Sequence, residues 1–321
     1  MKNQLQTVSL VVTLFSLVGC ASLPNVPARD GGAQISATRG HELLEGARGT
    51  RLFHQWWRPE GQPPRAAVVV VHGLKDHGSR YEELAQRLVA KNFAVYAMDL
   101  RGHAHSEGPR VDVGAFNDYI EDLDAVLERV RAREPGLPVF LFGHSMGGMI
   151  VTRYTLEHSA QPVAGLITHA PALKVDAPGI QVASVKFISA LSPNAGLFQP
   201  NLDDYSRDPQ VVSATKADPL IYQSAAPVHT ASELLRAIER TDAQMEDITL
   251  PVLILHGTAD KLTSAEGSKA LYRRARSTDK TLKLYPGLYH DLVHEPEKET
   301  VLTDITAWLE ARAPGATASV K

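Results

Sequence analysis

Short apolar runs and helix-length amphipathic segments alternate along the chain from Ala66 onward. A continuous apolar run is typical of a strand buried on both faces of a sheet, whereas apolar residues spaced three or four apart predict a helix. Strands separated by helix-length segments need crossover connections, so the pattern predicts an α/β fold with a mostly parallel sheet. The predicted elements are an opening hairpin at 42–44 and 51–57, strands at 66–73, 94–100, 139–142, 165–170, 252–255 and 280–285, and helices at 81–91, 116–133, 146–158 and 296–312.

The alternation is interrupted between Pro171 and Pro251. This proline-rich stretch has helical and loop-like patterns, which predicts a cap inserted into the sheet domain. Its segment 180–191 is apolar on more than one face, which fits either a core helix or a lid that shields an apolar substrate. The predicted organisation is a sheet domain at 39–171 and 250–312, a cap at 172–249 and a frayed tail at 313–321.

Charge gives no sign of a nucleic-acid partner. The 321 residues carry a formal net charge of -3, the pI is near 6.5, and no run of lysine and arginine occurs. A nucleic-acid-binding surface needs a basic patch to neutralise phosphates. The chain is long enough for one large α/β domain with an insertion or for two small domains, and its 44% of hydrophobic residues can bury a sizeable core.

The single cysteine, Cys20, lies at the end of an apolar segment near the N-terminus. One cysteine cannot form an intrachain disulfide or a cysteine-based zinc site, so its position indicates processing. The basic start Met1-Lys2 and the apolar run 8–18, which is too short to span a bilayer comfortably, are typical of a leader. A plain signal peptide or an uncleaved anchor with a coincidental cysteine would give the same pattern.

The sequence LVGC at 17–20 resembles the lipobox of bacterial lipoproteins. The resemblance implies that residues 1–19 are removed as a signal peptide and that Cys20 becomes a lipidated first residue. Residues 20–38, rich in proline, glycine and small residues, then form a flexible tether. The implied location is the cell envelope, anchored without spanning the membrane. Ala21 favours the outer membrane, since similar lipoproteins kept at the inner membrane carry aspartate there.

A candidate nucleophile lies where the strand 139–142 runs into the helix 146–158. The connecting residues read G-x-S-x-G, with Ser145 between Gly143 and Gly147. A serine at a sharp strand-to-helix turn has a strained backbone, and the neighbouring chain must pass close by without side chains. The motif alone would also fit a glycine-rich loop, but the strand before it and the helix after it favour a nucleophile.

A serine hydroxyl needs a histidine base within hydrogen-bond reach, and the base needs a carboxylate to orient it. In the α/β-hydrolase order both follow the serine, acid first, in loops beyond the carboxyl ends of strands. Asp260 follows the strand 252–255 and His290 follows the strand 280–285, so we predict the triad Ser145, Asp260 and His290. The competing candidates are His144, His169, His256 and His294 for the base and Asp242 and Asp247 for the acid.

Acyl transfer also needs two backbone N–H donors for the developing oxyanion. One is expected from the residue after the nucleophile, Met146, and the other from the loop after the first buried strand. His72-Gly73 occupies the start of that loop, so Leu74 is predicted to supply the second donor.

Five ordered motifs resemble those of the monoacylglycerol lipase and lysophospholipase family of α/β-hydrolases, over roughly residues 49–312. Members of the family usually read HGxGEH where this chain reads HGLKDH, so Lys75 stands in place of a glycine. The family resemblance also implies that the segment from Asp99 to Gly108 stabilises a loop and is not catalytic. The motifs are HGLKDHGSRY at 72–81, MDLRGHAHSEGPR at 98–110, GHSMGG at 143–148, HGTADKLT at 256–263 and KTLKLYPGLYHDLVHE at 280–295.

The resemblance implies a serine hydrolase that cleaves carboxylic esters of fatty acids and needs neither a metal nor an organic cofactor. The expected partners are a lipid-like ester substrate and, through the anchor at Cys20, a membrane. Carboxylesterases for short chains, thioesterases and serine aminopeptidases share the triad, so they stay open as alternatives. A binding lipoprotein on a hydrolase scaffold that has lost catalysis is the alternative from another class.

Overall fold

The computed structural model describes residues 37–159, 163–174, 179–199 and 201–315. Outside these residues lie the predicted leader, the predicted lipidation site Cys20, most of the predicted tether and the end of the tail. The strands are β1 (Ala37–Glu45), β2 (Arg51–Pro59), β3 (Ala66–Val71), β4 (Phe93–Met98), β5 (Val139–His144), β6 (Gly165–His169), β7 (Gly196–Phe198), β8 (Ala226–Pro227), β9 (Val252–Gly257) and β10 (Lys280–Tyr285). The helices are α1 (Glu82–Val89), α2 (Phe116–Arg133), α3 (Met146–Glu157), α4 (Gly179–Leu191), α5 (Pro209–Ala217), α6 (Val228–Asp242), α7 (Ala265–Arg274) and α8 (Lys298–Glu310).

Eight strands form one sheet in the order β1-β2-β4-β3-β5-β6-β9-β10. Within this order, neighbouring strands from β4 through β10 are parallel to each other. The hairpin of β1 and β2 adds an antiparallel edge. Every residue of β3, β5 and β9 is buried, as their continuous apolar sequences predict. The predicted α/β class with a mostly parallel sheet is confirmed.

The sheet separates two hydrophobic cores. One contains α2 and α3 side chains such as Leu123 and Ile150, and the other contains α1 and α8 side chains such as Leu88 and Ile305. Alternate residues of a buried strand point to opposite faces, so Val69 joins the first core and Val70 joins the second. The central strands are therefore fixed from both sides, and the loops at their carboxyl ends start from rigid positions.

Three helices, α4, α5 and α6, and the short antiparallel strands β7 and β8 lie between β6 and β9. The helix predicted at 180–191 is present as α4, and it exposes Phe187 and Leu191. The bounds of the cap at 172–249 stay a prediction. Within the part of the chain that the structure describes, no helix combines the length and the apolar character needed to cross a bilayer.

Candidate active site

Ser145 occupies the turn between β5 and α3 with a backbone that L-residues rarely adopt, φ 54° and ψ -118°. Its N–H donates to the carbonyl of His169 at 2.9 Å, and its own carbonyl accepts from the N–H of Ala172 at 2.9 Å. His169 is the last residue of the neighbouring strand β6, and Ala172 lies just beyond it. These bonds hold the strained turn in the geometry expected of a nucleophile elbow.

The glycines on either side of Ser145 are required by close backbone contacts. A Cβ on Gly143 would lie 2.4 Å from the carbonyl oxygen of Gly147, and a Cβ on Gly147 would lie 2.1 Å from that of Val71. Real Cβ atoms do not approach an oxygen so closely, so no larger residue fits at either position without moving the backbone. The G-x-S-x-G spacing thus follows from packing of the turn against β3.

The loop after β3 passes directly beside Ser145. A Cβ on Gly73 would lie 3.0 Å from the Cβ of Ser145. His72 fixes this loop, because its Nε2 accepts from the N–H of Leu100 at 2.9 Å and its Nδ1 donates to the carbonyl of Gly73 at 2.7 Å. The next residue is Leu74, whose amide is one of the two predicted oxyanion donors.

Met146, the second predicted donor, is the first residue of α3. The first N–H groups of a helix have no acceptor within the helix, so this amide is available to a ligand. The partial positive charge of the helix N-terminus also favours an anion there. Leu74 and Met146 are both buried, which keeps water from competing strongly for their amides.

Asp260 and His290 meet at the carboxyl ends of β9 and β10. The Nδ1 of His290 lies 2.7 Å from the Oδ2 of Asp260, and both side chains are almost fully buried. Parallel strands place their carboxyl ends at one edge of the sheet, which explains how residues 30 positions apart come together. With Nδ1–H donating to the carboxylate, the Nε2 of His290 is left as the proton acceptor.

Asp260 is held by more groups than the sequence indicated. Its Oδ1 accepts from the N–H groups of Leu262 at 2.7 Å and Thr263 at 3.0 Å. Its Oδ2 accepts from the Thr263 hydroxyl at 2.9 Å and lies 3.2 Å from the Nε2 of His256. Thr263 and His256 are therefore supporting residues, and both lie in the motif at 256–263.

These contacts set the ionisation of the pair. Burial alone would lower the pKa of His290, but the charge of Asp260 and the hydrogen bond to it reverse the effect and raise that pKa above 6.5. Burial alone would raise the pKa of Asp260, but His290 and His256 bring it well below its usual range. At neutral pH the carboxylate is ionised and opposes the imidazole across a short hydrogen bond.

Ser145 and His290 do not share a hydrogen bond in the part of the chain described. The His290 ring is instead 4.8 Å from that of His144, the residue before the nucleophile, measured between centroids. Catalytic hydrogen bonds are often long without substrate and shorten in the Michaelis complex. The structure thus joins Asp260 to His290 and places Ser145 beside their neighbour His144.

The competing histidines have other partners or none. His294 pairs through Nδ1 with Asp291 at 2.8 Å, and its Nε2 lies 3.0 Å from the carbonyl of Arg80. The Nδ1 of His144 lies 2.9 Å from the hydroxyl of Tyr81. His169 is fully buried, and neither of its ring nitrogens has a hydrogen-bond partner among the described residues.

A second buried polar group, which sequence reasoning missed, lies next to His290. The guanidinium of Arg80 contacts the carboxylates of Asp291 at 2.7 Å and Asp76 at 3.2 Å. It also donates to the hydroxyl of Thr215 in α5, at 2.7 Å. The only sequence signals were the position of Asp291 directly after the predicted base and that of Arg80 in the motif at 72–81.

The segment between β6 and β9 reaches the predicted base itself. The ring of Tyr205 meets that of His290 edge to face, 5.6 Å between centroids. The Tyr205 carbonyl accepts from the N–H of Asp291 at 2.8 Å. This contact keeps water away from the imidazole, and only 2% of the His290 side chain is exposed.

Among the described residues, His144, His169 and Asp291 form a group with metal-ligand chemistry, since each offers one ligand atom within 4.8 Å of the others. Asp291 is already paired with Arg80 at 2.7 Å and with His294 at 2.8 Å, so its negative charge is largely engaged by other groups. We assign no metal to the group.

The sheet, the elbow at Ser145 and the pair at its carboxyl edge define an α/β-hydrolase. The family described as serine aminopeptidase, S33, matches residues 62–297. Among relatives, a monoacylglycerol lipase of Mycolicibacterium smegmatis is 36% identical over 281 residues, covering 86% of this chain and 98% of that enzyme. A human monoglyceride lipase is also 36% identical, over 282 residues that cover 86% of this chain and 92% of that enzyme.

A solved structure agrees with these matches. The monoacylglycerol lipase of Paleococcus ferrophilus is 31% identical and superposes with a TM-score of 0.72. The match covers 87% of this chain and 100% of that enzyme. The chain belongs to the α/β-hydrolase family that includes the monoacylglycerol lipases. It is an ester hydrolase of the lipase and esterase kind.

Proposed function

We propose that this chain cleaves esters of fatty acids with small polar alcohols, namely monoacylglycerols or lysophospholipids. The observation that carries the proposal is the 36% identity to a monoacylglycerol lipase across 86% of the chain. The exposed apolar side chains of α4, Phe187 and Leu191, are consistent with a substrate that has an acyl chain. They lie in the segment that also contacts the predicted base.

In the proposed mechanism the hydroxyl of Ser145 attacks the ester carbonyl, and the Nε2 of His290 takes its proton. The N–H groups of Leu74 and Met146 hold the oxyanion, each contributing about 2.7 to 4 kcal/mol of transition-state stabilisation. Asp260 keeps His290 in the correct tautomer and stabilises the imidazolium. His290 then protonates the leaving alcohol.

The acyl-enzyme that forms on Ser145 is released by hydrolysis. Water donates a proton to the Nε2 of His290 and attacks the acyl carbonyl, and the same two amides hold the second oxyanion. The fatty acid leaves and the proton returns to Ser145. Every step uses groups of this chain and water.

A substrate panel tests the proposal. We expect kcat/KM to be highest for a monoacylglycerol or a lysophospholipid, lower for a short-chain ester, and lowest for an aminoacyl anilide. The anilide is included because the matching family is described as serine aminopeptidase. A preference for the anilide would overturn the substrate class, and hydrolysis of the short ester alone would reassign the chain as a carboxylesterase.

We further propose that the mature chain is a lipoprotein of the bacterial cell envelope, anchored through Cys20 at the outer membrane. The support is the LVGC sequence after a basic start and an apolar run, with Ala21 following it. Each buried acyl CH2 adds about 0.8 kcal/mol of membrane affinity, so two or three chains hold the protein stably. A membrane location would keep the enzyme near lipid substrates.

The anchor is tested by metabolic labelling with a fatty acid. We expect Cys20→Ser to abolish the label, because the thiol is the acceptor that the lipobox resemblance implies. Since an acyl-enzyme at Ser145 would also carry label, both the parent and the variant are made in a Ser145→Ala background. Persistent labelling of the Cys20→Ser chain would reject Cys20 as the lipidation site.

A further inference from the structure

Lys75 is a buried cation without a counterion. Only 3% of the residue is exposed, and its Nζ lies 5.9 Å from the ring centroid of Tyr222. Among the described residues no carboxylate forms an ion pair with it, and burial lowers the pKa of its ammonium group. The adjacent carboxylate, Asp76, is already engaged by Arg80 at 3.2 Å. An unpaired buried charge is unfavourable, so this position has a cost in the free protein.

The backbone of Lys75 adds to that cost. Its φ is 69°, in the left-handed region where a residue with a Cβ is strained and glycine is not. Strained and unpaired residues persist where they serve a function, and they cluster at ligand sites. A glycine here would remove the strain and the buried charge together, so packing alone does not explain the lysine.

The location of Lys75 relates it to the substrate. It follows Leu74 in the loop whose Gly73 lies beside Ser145, so its main chain borders the predicted oxyanion hole. Its ammonium group reaches the ring of Tyr222, in the segment between β6 and β9 that also contacts His290 through Tyr205. Lys75 thus belongs to the loop that would hold the ester carbonyl, and its side chain reaches the segment between β6 and β9 that contacts His290.

We propose that Lys75 is an anion-recognition residue, which pairs with a phosphate group in the alcohol part of the ester substrate. The inference rests on the proposed function, because it selects phosphate-bearing lysophospholipids from the two substrate classes named there. The acyl chain is apolar, so the alcohol part is the portion of such a substrate that can carry the missing negative charge. The four-carbon stem of lysine lets the ammonium reach past the carbonyl to that group.

The test compares two substrates with the same acyl chain, oleoylglycerol phosphate and uncharged monooleoylglycerol. We expect Lys75→Met to lower kcat/KM for the phosphate ester by about 10- to 100-fold, the value of a charged hydrogen bond, and to leave the uncharged ester close to wild type. Lys75→Gly should give the same selective loss, and it relieves the strained backbone, so folding does not confound the result.

Lys280→Gln is the matched control. Its Nζ also lies over a tyrosine ring, 5.4 Å from the centroid of Tyr272, but it belongs to the amino end of β10, away from the site. We expect both esters to react with it as with wild type. Equal losses of kcat/KM on the two esters in the Lys75 variants would mean that Lys75 only shapes the oxyanion loop. No loss on either ester would also overturn the proposal.

A second measurement separates this inference from the proposed function. Glycerol phosphate is tested as a competitive inhibitor of nitrophenyl butyrate hydrolysis, with glycerol as its uncharged counterpart. We expect the inhibition constant of glycerol phosphate to rise about 10- to 100-fold in Lys75→Met. If oleoyl esters are not substrates at all, the proposed function fails while this arm still decides the role of Lys75. The role of Lys75 would be refuted if glycerol phosphate inhibited wild type and variant equally, or if it inhibited wild type no better than glycerol does.

Discussion

Ser145→Ala is expected to lower kcat for ester hydrolysis by about 10^6-fold, or roughly 8 kcal/mol of transition-state stabilisation. The substitution removes the attacking oxygen alone. The backbone bonds of the turn, to His169 and Ala172, do not involve the side chain and are retained. The variant should therefore fold and bind substrate normally, and single-turnover measurements on a monoacylglycerol would show the loss in the chemical step.

Ser159→Ala serves as the control for this experiment. Ser159 is exposed and follows the other end of α3, so its loss should not change the rate. A fluorophosphonate reagent, which labels activated serines, should modify wild type and the Ser159 variant and should leave Ser145→Ala unlabelled. Undiminished hydrolysis by the Ser145 variant would exclude the proposed mechanism.

Asp260→Asn is expected to lower kcat by about 10^4-fold, as when the carboxylate of a similar triad is replaced. An asparagine amide can donate to Nδ1 of His290 and so favours the tautomer with a proton on Nε2, which cannot accept another. In wild type, kcat/KM should fall as the pH drops through a His290 pKa above 6.5. In wild type the charge of Asp260 offsets the lowering of the His290 pKa by burial. Asp260→Asn removes that charge, so the pKa should fall and the acid limb should move to lower pH.

The pH profile distinguishes an orienting carboxylate from a structural one, because damage to the fold alone would lower the rate without moving the limb. Asp304→Asn is the control, since Asp304 pairs with Lys283 and Tyr285 outside the site. Asp291→Asn provides the competing test. If its acid limb moved and that of Asp260→Asn did not, the pair of His294 and Asp291 would take the role assigned to His290 and Asp260.

The sequence predicted best those features that depend on local pattern. The helix at 116–133 has the predicted bounds, because its amphipathic repeat is long and unbroken. The meeting of Asp260 and His290 was also predicted, because the carboxyl ends of parallel strands lie at the same edge of a sheet. By contrast, α7 was not predicted, and β7 and β8 are too short for any periodicity to show.

Contacts between distant residues that share no catalytic motif could not be predicted. Arg80 and Asp291 are 211 positions apart, and only the packing of the sheet brings them together. The same holds for His169, whose unpartnered ring depends on which groups surround it in the core. Lys75 was recognisable as a departure from the family pattern, but its burial and its missing counterion needed the structure.

The strand order has a consequence for synthesis of the chain. Ser145 follows a central strand, whereas Asp260 and His290 follow β9 and β10, the last two strands to be made. Domains assemble from the N-terminus as translation proceeds, and a parallel sheet closes slowly because its contacts are distant in sequence. A nascent chain therefore carries its predicted nucleophile for much of translation without the predicted base, and ester hydrolysis is delayed until the C-terminal strands have joined the sheet.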